Sequence, residues 1–486
     1  MTVVDVTTAL SSSARCAVRD NNGEFSYAQL SMAAAQVANR LKSAINPAES
    51  RPSIALIAEP GSRWIVGVYA AWAAGFRIVP LLASHPDGEL AHPLTDAECK
   101  IVLCCRATRP RAEQLQQQQL IQEVVDIDES WPTGNADQQH VELHCRPNED
   151  ALIVYTSGTT GKPKGVVHTF ASLNAQIAGM VSMWKWTADD VIVSSLPLHH
   201  VHGIVNATLT SLTVGAQHRV LFPFSADKTW EQFAGGDITL FMAVPTMYTK
   251  LIDAWEQQSD DVRTRWSQGA ANLRLMISGS AALPISTLEK WEAITGHVLL
   301  ERYGMTEIGM ALGNTLEKRV PGHVGMPFPG VEVSISSEGE LRVKSAQVFD
   351  RYLNRPDATS ESFRDGWFCT GDIAEQTPDG FKLLGRASVD IIKTGGEKVS
   401  ALEIEEVFRQ HPAVTDCAVV GLPDDEWGQR VAMAYTGEEI DADELRTWGK
   451  EQLAVAKVPT VIAYCAELPR NPMGKVVKPS VVDMLK

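Results

Sequence analysis

The segment with the most specific chemical pattern is residues 155–165, which read Tyr-Thr-Ser-Gly-Thr-Thr-Gly-Lys-Pro-Lys-Gly. Glycine lets a backbone approach an anion closely, while hydroxyl groups, backbone amides and Lys164 supply hydrogen bonds and positive charge. The pattern therefore predicts a loop that binds phosphate. It is not a Walker loop, because that motif would need glycine at Thr156 and a hydroxyl residue at Pro163. An ordinary turn from a strand into a helix is the alternative.

Further segments fit the same chemistry and follow in a set order. They are residues 303–307 (Tyr-Gly-Met-Thr-Glu), residues 366–372 (Gly-Trp-Phe-Cys-Thr-Gly-Asp), Gly385-Arg386, Gly395-Gly396 and residues 471–475 (Asn-Pro-Met-Gly-Lys). Together with the loop, they resemble the motifs of the adenylate-forming enzymes, which include acyl-CoA synthetases, luciferases and nonribosomal adenylation domains. The resemblance runs from about residue 25 to the end of the sequence.

The resemblance implies a two-step reaction that uses ATP, Mg²⁺ and coenzyme A. A carboxylate attacks the α-phosphorus of ATP to form an acyl-adenylate, and a thiol then displaces AMP. Both steps depend on neutralising charge at phosphate more than on proton transfer.

The resemblance also implies a role for each matching residue. The β- and γ-phosphates would be held by Thr156, Ser157, Gly158, Thr159, Thr160 and Lys164. Adenine would be contacted by Gly279, Ala281 and Tyr303, and ribose by Asp372 and Arg386. Thr306 would meet the α-phosphate, Glu307 would bind Mg²⁺, and Lys475 would bridge the carboxylate and the α-phosphate. Gly395 and Gly396 would line the CoA tunnel after the small domain rotates.

For three of these residues the sequence also allows a role outside catalysis. Glu307 could be a surface carboxylate, Asp372 could cap a turn, and Lys475 could be a solvated lysine.

Arg302 is the strongest indication of which acid is activated, because the resemblance implies that it lies at the wall of the acyl pocket. An unpaired buried guanidinium is costly, whereas the distal carboxylate of a short diacid would pair with its planar donor groups. Residues 301–307 and residues 196–203 (Leu-Pro-Leu-His-His-Val-His-Gly) are similar to those of malonyl-CoA synthetases. The expected substrate is malonate or a close relative.

Alternatives stay open in this pocket. Arg302 could pair with a protein carboxylate such as Glu301 instead of a substrate. His202 could help to bind the malonyl carboxylate, or it could be a packed histidine that only shapes the wall. Ser278 is a further candidate for a hydrogen bond to the acid.

The expected function is that of an AMP-forming malonate–CoA ligase. Three other functions fit the same motifs: a ligase for methylmalonate or another short acid, an adenylation domain that loads a carrier protein, and a nucleotide-binding regulator without catalysis. The regulator is disfavoured, because a chain without catalysis would not need Arg302, Glu307 and Lys475 together.

The amino-acid composition limits which binding partners and which cellular compartment are expected for the protein. The 486 residues include 59 acidic and 43 basic side chains, a formal net charge of -16, which disfavours nucleic acid and anionic lipid as partners. The longest apolar run, residues 64–76, is shorter than the ~20 residues of a membrane span. With no signal-peptide pattern and eight cysteines that lack zinc-site spacing, we expect a cytoplasmic protein with reduced thiols. A mitochondrial location is the weaker alternative.

The hydrophobic pattern predicts the elements that must position these residues. Between about residues 53 and 304, short β-branched runs alternate with helical patterns, which predicts mainly parallel sheets covered by helices. From residue 330, short runs broken by Gly, Pro, Asp and Asn predict a small β-rich subdomain.

The predicted fold class is α/β. A large N-terminal domain of doubly wound βαβ subdomains, with the β-rich subdomain, is expected at residues 1–385. A hinge at residues 386–390 and a small mobile α+β domain at residues 391–486 complete the predicted organisation. The pivot of the hinge is expected at Ser388, Val389 or Asp390.

Overall fold

A computed structural model describes residues 4–43, 51–131, 139–156, 163–471 and 474–486. The strands of this part of the chain form four sheets. Three of them lie before residue 387 and the fourth begins at residue 391.

The first sheet has a parallel centre. In spatial order its nine strands are Met326–Pro327, Gly309–Gly313, Leu300–Met305, Leu275–Ser278, Leu240–Ala243, Val191–Ser194, Gln217–Val220, Cys16–Asp20 and Gly23–Ser26. The strands from Leu300–Met305 to Cys16–Asp20 are parallel, and those outside them pair antiparallel. Strands such as Leu240–Ala243 are buried throughout, as expected where helices cover both faces.

The second sheet repeats this design. Its seven strands are, in spatial order, Arg351–Tyr352, Lys164–Thr169, Asp150–Thr156, Arg77–Pro80, Ser53–Ile57, Ile101–Cys104 and Glu123–Asp126. Asp150–Thr156 and Lys164–Thr169 pair antiparallel, with Thr156 opposite Lys164. The predicted phosphate loop therefore joins two strands, and the alternative of a turn from a strand into a helix is wrong.

The third and fourth sheets are smaller. The third contains Val331–Ile335, Glu340–Ser345, Trp367–Thr377, Phe363–Arg364 and Gly380–Arg386, all antiparallel. The fourth contains Glu397–Ser400, Ile391–Thr394, Gly428–Gly437, Val414–Asp424 and Val461–Tyr464. The chain thus leaves one sheet at Arg386 and enters the next at Ile391, across the segment predicted as the hinge.

Helices fill the connections between the strands. They are Tyr27–Lys42, Ser62–Ala73, Asp87–Asp96, Arg109–Gln117, Phe170–Trp184, Thr210–Thr213, Ala226–Ala234, Pro245–Glu256, Asp260–Ala271, Ile285–Thr295, Pro356–Glu361, Ala401–Phe408, Ala442–Gln452 and Lys478–Leu485, with a π-helical segment at His202–Leu209 and 3₁₀ turns at Val6–Thr8, Asp128–Ser130 and Val455–Lys457. Their starts follow from local capping: Ser26 and Gln29 form a capping box for the first helix, and Thr169 and Ser172 form one for Phe170–Trp184.

The N-terminal and C-terminal parts of the chain have separate apolar cores. Two clusters are built from residues 6–381, and two others are built only from residues 392–485. The small C-terminal unit therefore has its own packed interior. The predicted α/β fold class is confirmed, with a large N-terminal part and a small C-terminal part. No helix among the described residues is long and apolar enough to cross a membrane.

Candidate active site

A cavity of about 490 Å³ opens between the three sheets of the large unit and the small C-terminal unit. The predicted site residues in its lining are Thr156, Lys164, His202, Arg302, Thr306, Glu307, Arg386 and Lys475. Seven others are not in its lining: Gly279, Ala281, Ser278, Tyr303, Asp372, Gly395 and Gly396. Ser157, Gly158, Thr159 and Thr160 lie outside the described residues. Residues from distant parts of the chain thus meet in one space.

Thr306 and Glu307 are held from both sides by buried groups. The Nε2 of His168 donates to the carbonyl of Thr306 at 2.8 Å, and burial lowers the pKa of His168 to about 4, so the ring is neutral at pH 7. The Tyr352 hydroxyl donates to Oε1 of Glu307 at 2.8 Å. Burial raises the pKa of the Glu307 carboxyl.

The donor set at Glu307 fits a hard divalent cation. Its carboxylate lies in the lining of the cavity, next to Thr306 and on the same wall as Lys164. Carboxylate and phosphate oxygens are the ligands that Mg²⁺ prefers. No cluster of three His, Cys, Asp or Glu side chains suited to a metal ion occurs in the described part of the chain, this cavity included, so phosphate and water oxygens would have to complete the coordination.

The residues predicted at the nucleoside are bonded to one another. The Tyr303 hydroxyl donates to Oδ2 of Asp372 at 2.5 Å, and Nε of Arg386 lies 3.0 Å from Oδ1 of the same carboxylate. Arg386 also donates to the carbonyl of Thr370 at 2.7 Å. Burial raises the pKa of Asp372, and the Arg386 charge opposes that shift. Asp372 is therefore held by a tyrosine and an arginine, and the alternative of a turn cap does not describe its contacts.

Arg302 is a buried cation without a carboxylate partner among the described residues. It is 6% exposed, and its one side-chain hydrogen bond goes from Nη2 to the Ser280 hydroxyl at 3.2 Å, while Nε has no partner in the described structure. Burial alone lowers its pKa to about 9. Glu301 accepts instead from the backbone N–H of Gly322 at 2.7 Å, so the alternative that Glu301 neutralises Arg302 is wrong.

Ser280 is a site residue that the sequence analysis missed. Its hydroxyl lies 3.2 Å from Nη2 of Arg302 and 3.2 Å from Nδ1 of His202, so it connects the two predicted acid-binding groups. Ser278, the predicted candidate, is buried with an unpartnered hydroxyl and is absent from the cavity lining. The position of Ser280 depends on a left-handed backbone angle of +70°, which the sequence Ser-Gly-Ser does not specify.

Gly279 makes room for the guanidinium. A Cβ atom at this position would overlap Nε and Cζ of Arg302, so only glycine allows this close approach. His202 is 6% exposed, and its Nε2 has no hydrogen-bond partner among the described residues. Burial, followed by the Arg302 charge, lowers its pKa well below the usual range. At neutral pH its ring is uncharged, and one ring nitrogen is free to bond a ligand.

Lys475 reaches the cavity from the small C-terminal unit. Burial, then the charges of Arg302 and Arg386, lower its pKa. The preceding Gly474 packs against Thr246 of the helix Pro245–Glu256. Lys475 therefore lines the same cavity as Arg302 and Arg386 while its side chain is exposed to solvent, so the alternative of a solvated lysine stays open.

Gly395 and Gly396 lie away from this cavity. They form the turn between Ile391–Thr394 and Glu397–Ser400, and the N–H of Gly395 donates to the carbonyl of Trp427 at 3.0 Å. The structure thus brings eight of the predicted site residues to one cavity, while Gly395 and Gly396, predicted for CoA, are not in its lining.

Comparisons with known proteins identify the family of this chain and its structural relatives. Residues 7–353 match the AMP-binding enzyme family, and residues 403–475 match the AMP-binding enzyme C-terminal domain. A mitochondrial malonate–CoA ligase from Mus musculus is 40% identical, with 98% of this chain and 90% of that protein covered. The structure of ATP-bound MatB from Rhodopseudomonas palustris matches with a TM-score of 0.88 at 31% identity, covering 99% of this chain and 100% of that one. A malonyl-CoA ligase complex with methylmalonyl-CoA and AMP matches with a TM-score of 0.68 at 34% identity, covering 96% and 100%.

Proposed function

The chain belongs to the family of AMP-binding enzymes, and on that premise we propose that it is a malonate–CoA ligase. In the first step, a carboxylate oxygen of malonate attacks the α-phosphorus of ATP, and pyrophosphate leaves. In the second step, the sulfur of CoA attacks the acyl carbon of malonyl-AMP, and AMP leaves. The substrates are malonate, ATP and CoA.

The observation that carries the choice of acid is the unpaired charge of Arg302. A buried guanidinium whose pKa falls to about 9 has lost hydration without gaining a protein carboxylate. The distal carboxylate of malonate would supply that partner, with the Ser280 hydroxyl and the free nitrogen of His202 beside it. A monocarboxylate would leave Arg302 without an anionic partner and Nε2 of His202 without a ligand.

The other end of the cavity fits the first step. Lys475 and Lys164 would place positive charge near the attacking carboxylate and the phosphates, and the neutral His168 would hold the backbone of Thr306 in position. Mg²⁺ bound at Glu307 would neutralise phosphate charge as the leaving group forms. None of these residues needs to transfer a proton, because the attacking carboxylate is already ionised.

The second step would require the small C-terminal unit to rotate. Lys475 lines the cavity while Gly395 and Gly396 are not in its lining, which is the arrangement that the first step would require. Rotation would occur within residues 386–390, where the chain passes between sheets.

One alternative keeps specific support. Methylmalonate is a candidate second substrate, because a structurally similar malonyl-CoA ligase is described with methylmalonyl-CoA, and one methyl group changes affinity only modestly. An inactive regulator is disfavoured, since Arg302, Glu307 and Lys475 line a single cavity.

The cytoplasmic location stays a prediction, and the relative from Mus musculus favours the mitochondrial alternative.

The function is tested by CoA-dependent release of AMP with malonate, methylmalonate, succinate, oxalate, acetate and octanoate at equal concentration. Malonate should be the best or near-best substrate. Acetate should be disfavoured by about 10⁴-fold in kcat/KM, because a site with buried polar groups rejects a ligand that leaves them unpaired. Equal use of acetate and malonate would contradict the proposal.

The same assay with Arg302→Leu locates the specificity. The variant should lose malonate activation and should accept short monocarboxylates, since the cation that needs an anion is gone. Arg302→Lys is the matched control: it keeps the charge but not the planar donor pair, so it should retain partial malonate activity. Unchanged malonate kinetics in Arg302→Leu would remove Arg302 from the acid site.

A further inference from the structure

Tyr352 links two groups that the proposed function places at the phosphates of ATP, yet no motif in the sequence singled it out. Its hydroxyl donates to Oε1 of Glu307 at 2.8 Å. Its ring lies beneath Lys164, whose Nζ is 4.5 Å from the ring centroid. Tyr352 is 5% exposed and contributes to the lining of the cavity. One side chain therefore contacts a carboxylate with its tip and an ammonium group with its face.

The backbone around Tyr352 holds the ring in place. The short strand Arg351–Tyr352 pairs with Lys164–Thr169, with Tyr352 opposite Val166, so Tyr352 belongs to the same sheet as Lys164. The N–H of Tyr352 donates to the Thr359 hydroxyl at 3.0 Å. The ring also packs on Phe349, with the ring centroids 4.7 Å apart. These contacts fix the ring independently of any ligand.

Glu307 and Lys164 carry opposite charges but form no salt bridge with each other in the described structure, and Tyr352 contacts both of them. Without the tyrosine, the carboxylate and the ammonium group would be free to pair directly and would then be less available to a metal ion and to phosphate. The hydroxyl orients the carboxylate, while the ring attracts the cation through its negative face.

We propose that Tyr352 is a positioning residue for ATP, holding Glu307 ready for Mg²⁺ and Lys164 ready for phosphate. The inference rests on the proposed function only as far as ATP binding, and it does not depend on which acid is used. Tyr352 touches neither reacting atom. Its effect should therefore be confined to the half-reaction in which the β- and γ-phosphates are present.

The test measures ATP affinity by titration calorimetry, with and without Mg²⁺ and without any acid, for the wild-type protein and for Tyr352→Phe. The variant keeps the ring and removes only the hydroxyl. We expect the gain in ATP affinity that Mg²⁺ produces to shrink by about 10-fold, while ATP affinity without Mg²⁺ stays within two-fold, since one charge-assisted hydrogen bond is lost. The reaction of preformed malonyl-AMP with CoA should be unchanged.

Tyr69→Phe is the matched control. Tyr69 is fully buried and donates its hydroxyl to the carbonyl of Val6 at 3.2 Å, away from the cavity, so this variant loses a buried hydrogen bond without touching the site. It should bind ATP as the wild type does. The melting temperature of each variant without ligand reports whether it is folded.

A second variant tests the same Mg²⁺ effect by changing Glu307 instead of Tyr352. Glu307→Gln should lose the same Mg²⁺ effect, and the double variant should be no worse than Glu307→Gln alone, because the two residues act as one unit. Wild-type Mg²⁺ dependence in Tyr352→Phe, equal losses with and without Mg²⁺, or additive effects in the double variant would each overturn the proposal. If the wild-type protein bound no ATP, the proposed function itself would fail.

Discussion

At the scale of single residues, the site depends on how burial changes charge. Arg302 is buried in the cavity, whereas Lys475 lines the cavity but is exposed to solvent, and the pKa values of both are lowered. The buried Arg302 charge is retained at neutral pH only at a free-energy cost, which a bound anion would offset. A cavity that concentrates unpaired cations is therefore suited to substrates with several negative charges, such as a dicarboxylate and a nucleotide triphosphate.

His218 offers a prediction of pH dependence far from the cavity. It is 1% exposed on the strand Gln217–Val220, its Nδ1 lies 3.1 Å from the Ser211 hydroxyl, and burial lowers its pKa to about 4. The unfolded chain binds a proton below the ordinary pKa of 6.5, whereas the native ring stays neutral until about pH 4. Native stability is therefore fully present above pH 6.5 and is lost as the pH falls towards 4.

The variant His218→Asn removes this titration while keeping an amide near the position of Nδ1. The stability advantage of the wild type over the variant should shrink by about 2 kcal/mol between pH 7 and pH 4.5. Urea denaturation of both proteins at the two pH values measures this difference. A difference that is constant or grows towards low pH would show that His218 is not buried in its neutral form.

At the scale of elements, strand ends decide which side chains reach the cavity. The parallel strands Leu240–Ala243, Leu275–Ser278 and Leu300–Met305 end at one edge of the first sheet, where ligands bind in open α/β sheets. The pairing of Leu300–Met305 with Gly309–Gly313 shifts register between Tyr303 and Gly304. Such a bulge re-aims the residues that follow it, and here these are Met305 and Thr306.

The turn after Leu275–Ser278 gives a prediction at this scale. Gly279→Ala should displace the Arg302 guanidinium, because the added methyl group would occupy its space. We expect KM for malonate to rise by about 10-fold or more, while KM for ATP changes by less than about two-fold. Steady-state kinetics with each substrate varied separately measures both constants.

Gly88→Ala is the matched control for this variant. Gly88 lies in the helix Asp87–Asp96, and a Cβ there meets nothing within 4 Å. Both kinetic constants should stay at their wild-type values. An increase confined to KM for ATP in Gly279→Ala would instead support the adenine contact predicted for Gly279 from the sequence.

At the scale of the whole molecule, the site is complete only when the small C-terminal unit is docked. Oε1 of Glu406, in the helix Ala401–Phe408, accepts from the N–H of Ile285 at 3.0 Å, at the start of a helix of the large unit. Within the small unit and the predicted hinge, Lys478 lies 3.2 Å from Asp390 and 2.5 Å from Glu405. The contact between Glu406 and Ile285 therefore helps to hold the small unit, and with it Lys475, against the large unit.

Glu406→Ala tests this coupling. Loss of the bond to Ile285 should destabilise the docked arrangement by about 1 kcal/mol, so malonate-dependent ATP–pyrophosphate exchange should slow about 5-fold. Thioester formation from preformed malonyl-AMP should be unchanged or faster, because it requires the small unit to leave this position. The two half-reactions are measured separately.

Glu403→Ala provides the comparison for Glu406→Ala. Glu403 lies on the same helix, but its carboxylate accepts from Lys457 of its own unit at 2.6 Å. This variant should leave both half-reactions at the wild-type rate. Equal slowing of both half-reactions in Glu406→Ala would indicate general destabilisation rather than loss of a docking contact.

Much of the fold could be predicted because the hydrophobic pattern of residues that are adjacent in the sequence determines local secondary structure. The sequence predicted alternating strands and helices from about residue 53 and short strands from residue 330, and the structure has strands at Ser53–Ile57 and Val331–Ile335, since β-branched runs between turn residues indicate extended local conformation. The motifs also pointed to Thr306, Glu307, Arg302 and Lys475, which the structure places in the same cavity.

The sequence by itself therefore determined the fold class, through its alternating hydrophobic pattern. It also determined the family and the charged residues of the site, because short motifs encode them. Only the tertiary structure decided that Ser280 rather than Ser278 reaches Arg302, since one left-handed residue changes where the hydroxyl points. It alone showed that Arg302 has no carboxylate partner among the described residues and that Tyr352 supports Glu307, 45 residues away along the chain. Such contacts depend on how separate elements pack against one another, which no local pattern records.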